Sequence, residues 1–479
     1  MTARLSAQDA SFFFLERSTP MHGGSVAIFR CPRGGFTYEA LLNVVESRLP
    51  AVPRYRQKVR EVTLGLSLPV WVDDPDFDIE YHVRRSALPS PGSEARLWDL
   101  VARLMSRPLD PARPLWEMYL VEGLGKGDGN GSGRFAIVTK SHSSLVDGVE
   151  ALDIGQVIVD ETRTPEPPAE DLWMPAPEPS DATLAAAALG ELVMRPAEGV
   201  SAVRHALADF ATSAGRALGA LEKAARLVHT ATNSAPDNPL NAPISRSRRY
   251  ATARTPLADY RALRERYDCE IHDVVLTVVT GALRGWLQSR GELVGESTIV
   301  RAMVPISVYD TEDADGAPGA EGDDEPAGRA RVSSCLVDLP VGEPSPAVRL
   351  SHIAHATASS AGHGRRVTAR TMARLPGFAP ATLHAVGARV ATSFSQRMFN
   401  LVVTNAPGPQ RARYVGGAQL TQMYPVAPLL PNQTLSIALT SYDGDVYYGL
   451  NADRDAMSDV DVVASLLTES LEELSEYGR

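Results

Sequence analysis

The sequence predicts an α/β protein of two domains, each with a mixed sheet, joined by a long helical crossover. Three observations predict it. The chain has 479 residues, room for two or three domains at about 150 residues each. Strand-like runs alternate with helix-periodic segments in both halves. A stretch rich in Pro, Glu and Ala, residues 161–179, separates the halves as a linker would. The expected division is 1–160, then linker and crossover helices over 161–248, then 249–479.

In the first half, Ser25–Arg30 reads as a strand, and Leu41, Val44, Val45 and Leu49 recur at helical spacing. The strand-like PVWVDD and an acidic run, Asp73 to Asp78, follow. Leu97, Leu100, Val101 and Leu104 form one face of a second helix. Strands Glu117–Val121 and Phe135–Thr139 flank a turn of Gly, Asp, Asn and Ser. Past the linker, Val200, Val203, Leu207 and Phe210 recur at helical spacing, continued by Leu218, Leu221 and Leu227. Such a helix can lie on lipid, but a crossover helix packed on its own protein is the favoured reading. The second half opens near Arg249. Ile271–Leu287 is apolar on most sides and predicts a buried helix. IVRAMVP, SSCLVDL, FNLVVT, TLSIALT and VYYGLN predict strands. Thr311 to Ala330, acidic and rich in Gly and Pro, reads as a surface loop. A terminal helix carries Val460, Val463, Leu467, Leu471 and Leu474, with Ser458 and Asp461 placed to cap it.

The formal charge of −11 comes without a basic stripe, which argues against a nucleic-acid partner. An acidic surface also disfavours electrostatic adsorption to anionic lipid. Cys31, Cys269 and Cys335 lie far apart with no CxxC pair, so neither a zinc site nor a disulfide framework is expected, and a reducing cytoplasm fits. The N-terminus lacks the apolar core of a signal peptide. No run approaches the ~18 apolar residues of a membrane span.

The chemistry concentrates in Lys140-Ser141-His142-Ser143-Ser144-Leu145-Val146-Asp147-Gly148. A histidine leaving a strand can take a proton from a hydroxyl attacking a carbonyl. The aspartate can orient the ring or hold the loop, and the glycine permits a tight turn. His352, His355 and His363 have loose metal spacing, but no carboxylate or cysteine completes a set, and helix-face histidines are the better reading. No G-x-S-x-G elbow supports Ser143 or Ser144 as a nucleophile. The Gly-rich turn Gly125 to Gly133 lacks the GKS or GKT of a phosphate loop.

The segment 140–148 resembles the HHxxxDG motif of the bacterial wax ester synthase/diacylglycerol acyltransferase family, with mycobacterial-type triacylglycerol synthases, in the CoA-dependent acyltransferase superfamily. Further matches keep the family's order: LSAQDASFFFLERSTPMHGG, LPAVPRYRQKV, PVWVDDPDFDIEYHV, SRPLDPARPLWEMYLVEGL, RRYATARTPL, DVVLTVVTGALRGWL, RAMVPISV, LVDLPVGE, VVTNAPGPQ and MYPVAPLL. The resemblance covers nearly the whole chain, most weakly over 164–248 and the acidic loop. It implies two chloramphenicol-acetyltransferase-like domains meeting along a tunnel. It implies acyl transfer from a long-chain acyl-CoA to diacylglycerol or a fatty alcohol, with acyl-CoA as co-substrate and no cofactor. Pro114, Leu115 and Trp116 would help form the acyl-chain or acceptor pocket, and Asn405 would lie near the domain interface. The implied setting is cytoplasmic, with peripheral attachment to the inner membrane or lipid droplets left open.

One position departs from the pattern. Aligning Asp147 and Gly148 puts His142 on the motif's first histidine and Ser143 on the second, which the family uses as base. A serine hydroxyl cannot serve as a base near neutral pH. Three readings stay open. His142 substitutes, although neighbours in an extended segment point to opposite sides. His272, where the family shows asparagine before Asp273-Val274, compensates. Or the chain is catalytically weak or silent and binds acyl-CoA or neutral lipid, a regulator of storage-lipid synthesis. Transfer to a complex-lipid hydroxyl, as in the polyketide-lipid acyltransferases of the superfamily, is a further alternative.

Overall fold

The computed structural model describes residues 3–16, 19–62, 67–125, 133–146, 154–164, 171, 173–194, 235–308, 331–362, 366–367 and 398–477. The amphipathic stretch 200–227, the acidic loop, His363, Asp147 and Gly148 lie outside these residues.

The first half supplies β1 (His22–Arg30), β2 (Gln57–Arg60), β3 (Val70–Asp73), β4 (Val83–Ala87), β5 (Trp116–Leu124) and β6 (Arg134–His142). The second supplies β7 (Arg248–Pro256), β8 (Val300–Val308), β9 (Arg331–Leu339), β10 (Arg366–Val367), β11 (Leu401–Ala406), β12 (Tyr414–Val415), β13 (Ala418–Val426), β14 (Leu435–Tyr442) and β15 (Asp445–Asp453). One sheet has the order β12-β13-β1-β6-β5-β4 and the other β10-β9-β8-β11-β14-β15-β7, with β2 and β3 as a separate ribbon. Both sheets are mixed: β4 and β5 run parallel, as do β8, β11 and β14, while the remaining pairs are antiparallel. The fold is therefore the expected two-sheet α/β architecture.

Apolar stripes decide which helices pack where. Helix Glu94–Met105 starts at Ser93, whose hydroxyl accepts the Arg96 N–H, and buries Leu97, Val101, Leu104 and Met105 against the first sheet. Helix Ile271–Ser289 opens with a capping box between Glu270 and Asp273 and is buried along most of its length. With helices Pro346–Gly362 and Val460–Glu476 it closes the second core. That last helix begins without the expected Ser458–Asp461 cap; its N-cap is Asp459, with no side-chain cap bond. Asp461 instead accepts from Arg249 at 2.9 Å, because an exposed guanidinium on the neighbouring edge strand is within reach.

The halves interlock. Strands β12 and β13 leave the second half and complete the first sheet, with Ala27 opposite Met423 and Val26 opposite Tyr424. The crossing is close: a Cβ on Gly449 of β15 would fall 1.8 Å from the Pro425 carbonyl, so only glycine fits there. Tyr250 donates its hydroxyl to the same carbonyl at 2.8 Å, and Trp98 packs edge-on against Tyr250 and Tyr424. The proline-rich connection is also docked. Arg56 pairs with Asp171, Arg60 with Glu178 and Asp181, and the Ala176 N–H donates to Asp73 on the ribbon.

Candidate active site

Side chains alternate along β6. Ile137 and Thr139 face a cavity of about 510 Å³ between the two halves. Ser25, Ala27 and Phe29 of β1 and Met423 of β13 share that wall, and Ala406 to Pro409 with Thr440 close it from the second sheet. Lys140 and His142 point to the opposite face, and both are fully buried.

His142 ends β6 directly opposite His22 at the start of β1. Its backbone N–H donates to the Leu115 carbonyl at 3.0 Å. Nδ1 accepts the Ser144 backbone N–H at 3.1 Å and lies 2.7 Å from the Ser144 hydroxyl. Nε2 faces Glu16 Oε2 at 3.6 Å, and Phe13 packs against the ring edge. Glu16 is shared: its other oxygen stands 3.8 Å from Nδ1 of His22, and it also accepts the Met21 N–H. Burial would raise the Glu16 carboxyl, but the facing histidines and the Met21 N–H together outweigh burial and hold it at about 2. His22 is pushed down by burial, and its Nε2 lies 2.9 Å from the Met105 carbonyl. A carbonyl only accepts, so His22 carries its hydrogen on Nε2.

Ser143 follows His142 into a single helical turn, Ser143–Val146. Both its N–H (2.9 Å) and its hydroxyl (2.7 Å) donate to the Met21 carbonyl. Its hydroxyl hydrogen is thus committed to that carbonyl. Lys140, one pleat back from His142, donates to the Arg107 carbonyl at 2.5 Å and sits 3.4 Å from Glu117. Burial lowers its pKa, and Glu117, which also holds Tyr119 and Arg84, opposes that.

The remaining sequence candidates scatter. Pro114, Leu115 and Trp116 are buried beside the end of β6 and do not line the cavity. Trp116 donates its indole N–H to the Tyr55 carbonyl at 2.8 Å and stacks on His82 at 4.6 Å. Asn405, last but one in β11, lies opposite Leu439, a residue of the second core, while its neighbours Ala406 to Pro409 reach the cavity. His272 sits in the first turn of helix Ile271–Ser289, its pKa lowered by burial and its Nε2 without a hydrogen-bond partner. Arg284, lower on that helix, bonds the Val341 carbonyl near the start of β8, while Asp273 accepts from Thr357 at the other end. The helix therefore brings His272 to the end of the second sheet where β8 and β11 finish. Asp147 and Gly148 lie outside the described residues. His352 and His355 are exposed on helix Pro346–Gly362, and among the described residues no cluster is placed to hold a metal.

Sequence reasoning singled out neither Glu16 nor His22, and weighed Ser144 only as an unlikely nucleophile. The first two stand inside the quoted N-terminal segment, LERSTPMHGG, but nothing local announces that β1 pairs with β6 in the register that brings His22 to His142.

Comparison with known proteins bears on the same residues. Residues 5–275 match the wax ester synthase/diacylglycerol acyltransferase catalytic domain, and 330–475 match the C-terminal domain of that family. A probable diacylglycerol O-acyltransferase of Mycobacterium tuberculosis, tgs3, is 53% identical over 272 residues, 56% of this chain and 98% of the relative. Another from the same organism, tgs1, is 34% identical over 96% of this chain and 93% of its own length. Among solved structures, the wax ester synthase/diacylglycerol acyltransferase of Marinobacter aquaeolei superposes with a TM-score of 0.66 at 26% identity, covering 98% of both chains. A starter condensation domain of rhizomide synthetase reaches 0.55 at 13% identity over 99% of this chain and 95% of its own, a likeness of fold.

Proposed function

The chain belongs to the wax ester synthase/diacylglycerol acyltransferase family, and we propose that it transfers a long-chain acyl group from acyl-CoA to the hydroxyl of diacylglycerol or a fatty alcohol. The observation that carries the reading is the seating of the motif. His142 closes the central strand of the first sheet, wired to Glu16 and Ser144, at the end of a strand whose other face lines the cavity between the halves. The acceptor oxygen attacks the thioester carbonyl, the tetrahedral intermediate collapses, and the CoA thiolate leaves. The thioester is already activated, so the acceptor needs only a base and the chemistry needs no metal or prosthetic group. Both substrates carry long apolar chains, and the cavity walls of Ala27, Phe29, Ile137, Leu420 and Met423 suit such a chain.

A lipid acceptor brings the chain to a lipid surface, and the reading includes peripheral contact with the inner membrane or a lipid droplet from a cytoplasmic location. Among the described residues no helix is long and apolar enough to cross a membrane. The test is product identification. Purified chain, radiolabelled oleoyl-CoA and either dioleoylglycerol or hexadecanol should give labelled triacylglycerol or wax ester on thin-layer chromatography. Label appearing only in free fatty acid, with either acceptor, would replace the reading with thioester hydrolysis.

A further inference from the structure

We propose that the cavity opens to the acyl donor beside Arg413, whose guanidinium takes a phosphate of CoA while the pantetheine arm runs inward along β1. The inference rests on the acyl-transfer reading and asks which of the two substrates uses this opening.

The wall has a direction. Its residues on β1 run from Ser25 through Ala27 to Phe29, about 14 Å at the usual rise of an antiparallel strand. The inner end lies toward the motif, because Ser25 sits opposite Thr139, just before His142 on β6. At the other end Phe29 pairs with Leu420, whose N–H donates to the Arg413 carbonyl at 2.8 Å. Gln156, Ala406 and Pro407 in the lining are exposed, and Arg413 keeps 22% of its side chain in solvent, so the cavity opens on their side.

Charge at the opening points to the donor. Among the described residues, Arg413 is the charged group in the lining. Its backbone N–H donates to the buried Tyr442 hydroxyl at 3.0 Å, so the guanidinium projects from a pinned base. Exposed Arg411 precedes it, and Arg163 stands 5.9 Å from the ring of neighbouring Tyr414. Three guanidinium groups thus gather, against Glu161 and Asp443, on a chain whose formal charge is −11. Diacylglycerol and fatty alcohols are uncharged, whereas CoA carries phosphates, which an arginine fork binds through paired N–H donors. Glu161 now occupies Arg413 at 2.6 Å, but it is 77% exposed, and so exposed a pair is weak enough for a phosphate to displace.

The arm suits the wall. Pantetheine is mostly carbon, and its amide carbonyls need donors. Ser25 and Thr139 supply one. Their hydroxyls lie 3.0 Å apart, and the Thr139 oxygen also accepts the Ser25 N–H. One hydroxyl hydrogen serves the bond between them. Among the described residues the other has no acceptor, which leaves it for a ligand in the cavity both residues line.

The experiment is calorimetric titration of the full chain, without acceptor, so that binding is read apart from turnover. The probes are octanoyl-CoA and octanoyl-pantetheine, which keeps the arm and lacks the phosphates. Arg413→Gln should weaken octanoyl-CoA about tenfold or more, the worth of a charge-assisted hydrogen bond, and narrow its advantage over octanoyl-pantetheine. Arg413→Lys should recover part of the loss. Glu161→Gln should tighten octanoyl-CoA a few-fold, because the competing carboxylate is gone. The opposite signs are decisive. An ion pair that only holds the segment would make both variants bind more weakly, and that result overturns the proposal. Equal losses for the two probes in Arg413→Gln, with melting unchanged, overturn it as well. Acceptor-dependent CoA release, measured beside, keeps the two readings apart. Transfer by a chain whose octanoyl-CoA affinity ignores Arg413 removes this entrance alone. The expected binding pattern with no transfer to either acceptor upholds the entrance and removes the acyl-transfer reading.

Discussion

Acidification should destabilise the first half through His82. Its ring is fully buried between Trp116, stacked at 4.6 Å, and Phe77 at 5.2 Å. Nδ1 donates to the Trp116 carbonyl at 2.8 Å, while Nε2 is buried without a partner. Protonating Nε2 would place a charge in an aromatic sandwich. Burial accordingly pushes the pKa down to about 4 from the usual 6.5, against the favourable carbonyl bond. The folded state then binds fewer protons than the unfolded one at acid pH. Stability is full above about 6.5 and is lost as pH falls toward 4. The gap between those values, at 1.36 kcal/mol per pH unit, is worth about 3 kcal/mol, of which about 2 is gone by pH 5. At roughly 2–4 °C per kcal/mol for a domain of this size, melting should drop by about 4–8 °C between pH 7.5 and 5 on this account alone. His82→Asn keeps an amide donor for the Trp116 carbonyl and cannot take a proton. Tryptophan-monitored melting at both pH values should show the variant losing that much less than the native chain. Identical losses in the two proteins would refute the reasoning, since every other titrating group is common to both.

Trp116→Ala should destabilise the first half by about 3–5 kcal/mol, the range for truncating a buried indole. Trp116→Phe should cost about 1–3 kcal/mol, because the Tyr55 carbonyl loses the indole hydrogen bond; chemical denaturation separates these, and acyl-CoA KM should hardly move in the Phe variant. Gly449→Ala forces its Cβ onto the Pro425 carbonyl, backbone that has no room to yield. Overpacking of that kind costs about 1–3 kcal/mol. It should show as faster proteolysis between residues 414 and 426 as β13 lifts from β15; unchanged resistance would mean the crossing strand is not held there.

Much of the fold was legible because it is local. The period-2 runs of TLSIALT and VYYGLN became β14 and β15, and the apolar Ile271–Leu287 became the central helix of the second core. Strand β7 and the helix Leu257–Tyr267 were not read as elements. The helix buries only Leu257, Tyr260 and Leu263, too sparse a stripe to announce itself. The migration of β13 into the first sheet was invisible for a different reason: pairing across some 400 residues leaves no periodic trace in either strand. The site divides the same way. His142 and Ser143 follow from one contiguous motif, whereas Glu16 and His22 reach it only through the β1–β6 register. Trp116, which the resemblance placed in a substrate pocket, turns out packed inside the first core, its role in this structure being to hold Tyr55 and His82 beside the strand end.

The central claim is that this chain transfers acyl groups although serine stands at the motif's second position. Free CoA released from palmitoyl-CoA by the native chain, with and without dioleoylglycerol, tests it most directly. The account predicts release that depends on the acceptor and saturates with it. Binding of palmitoyl-CoA with no release above the acceptor-free rate, in native protein that melts cooperatively, would contradict it.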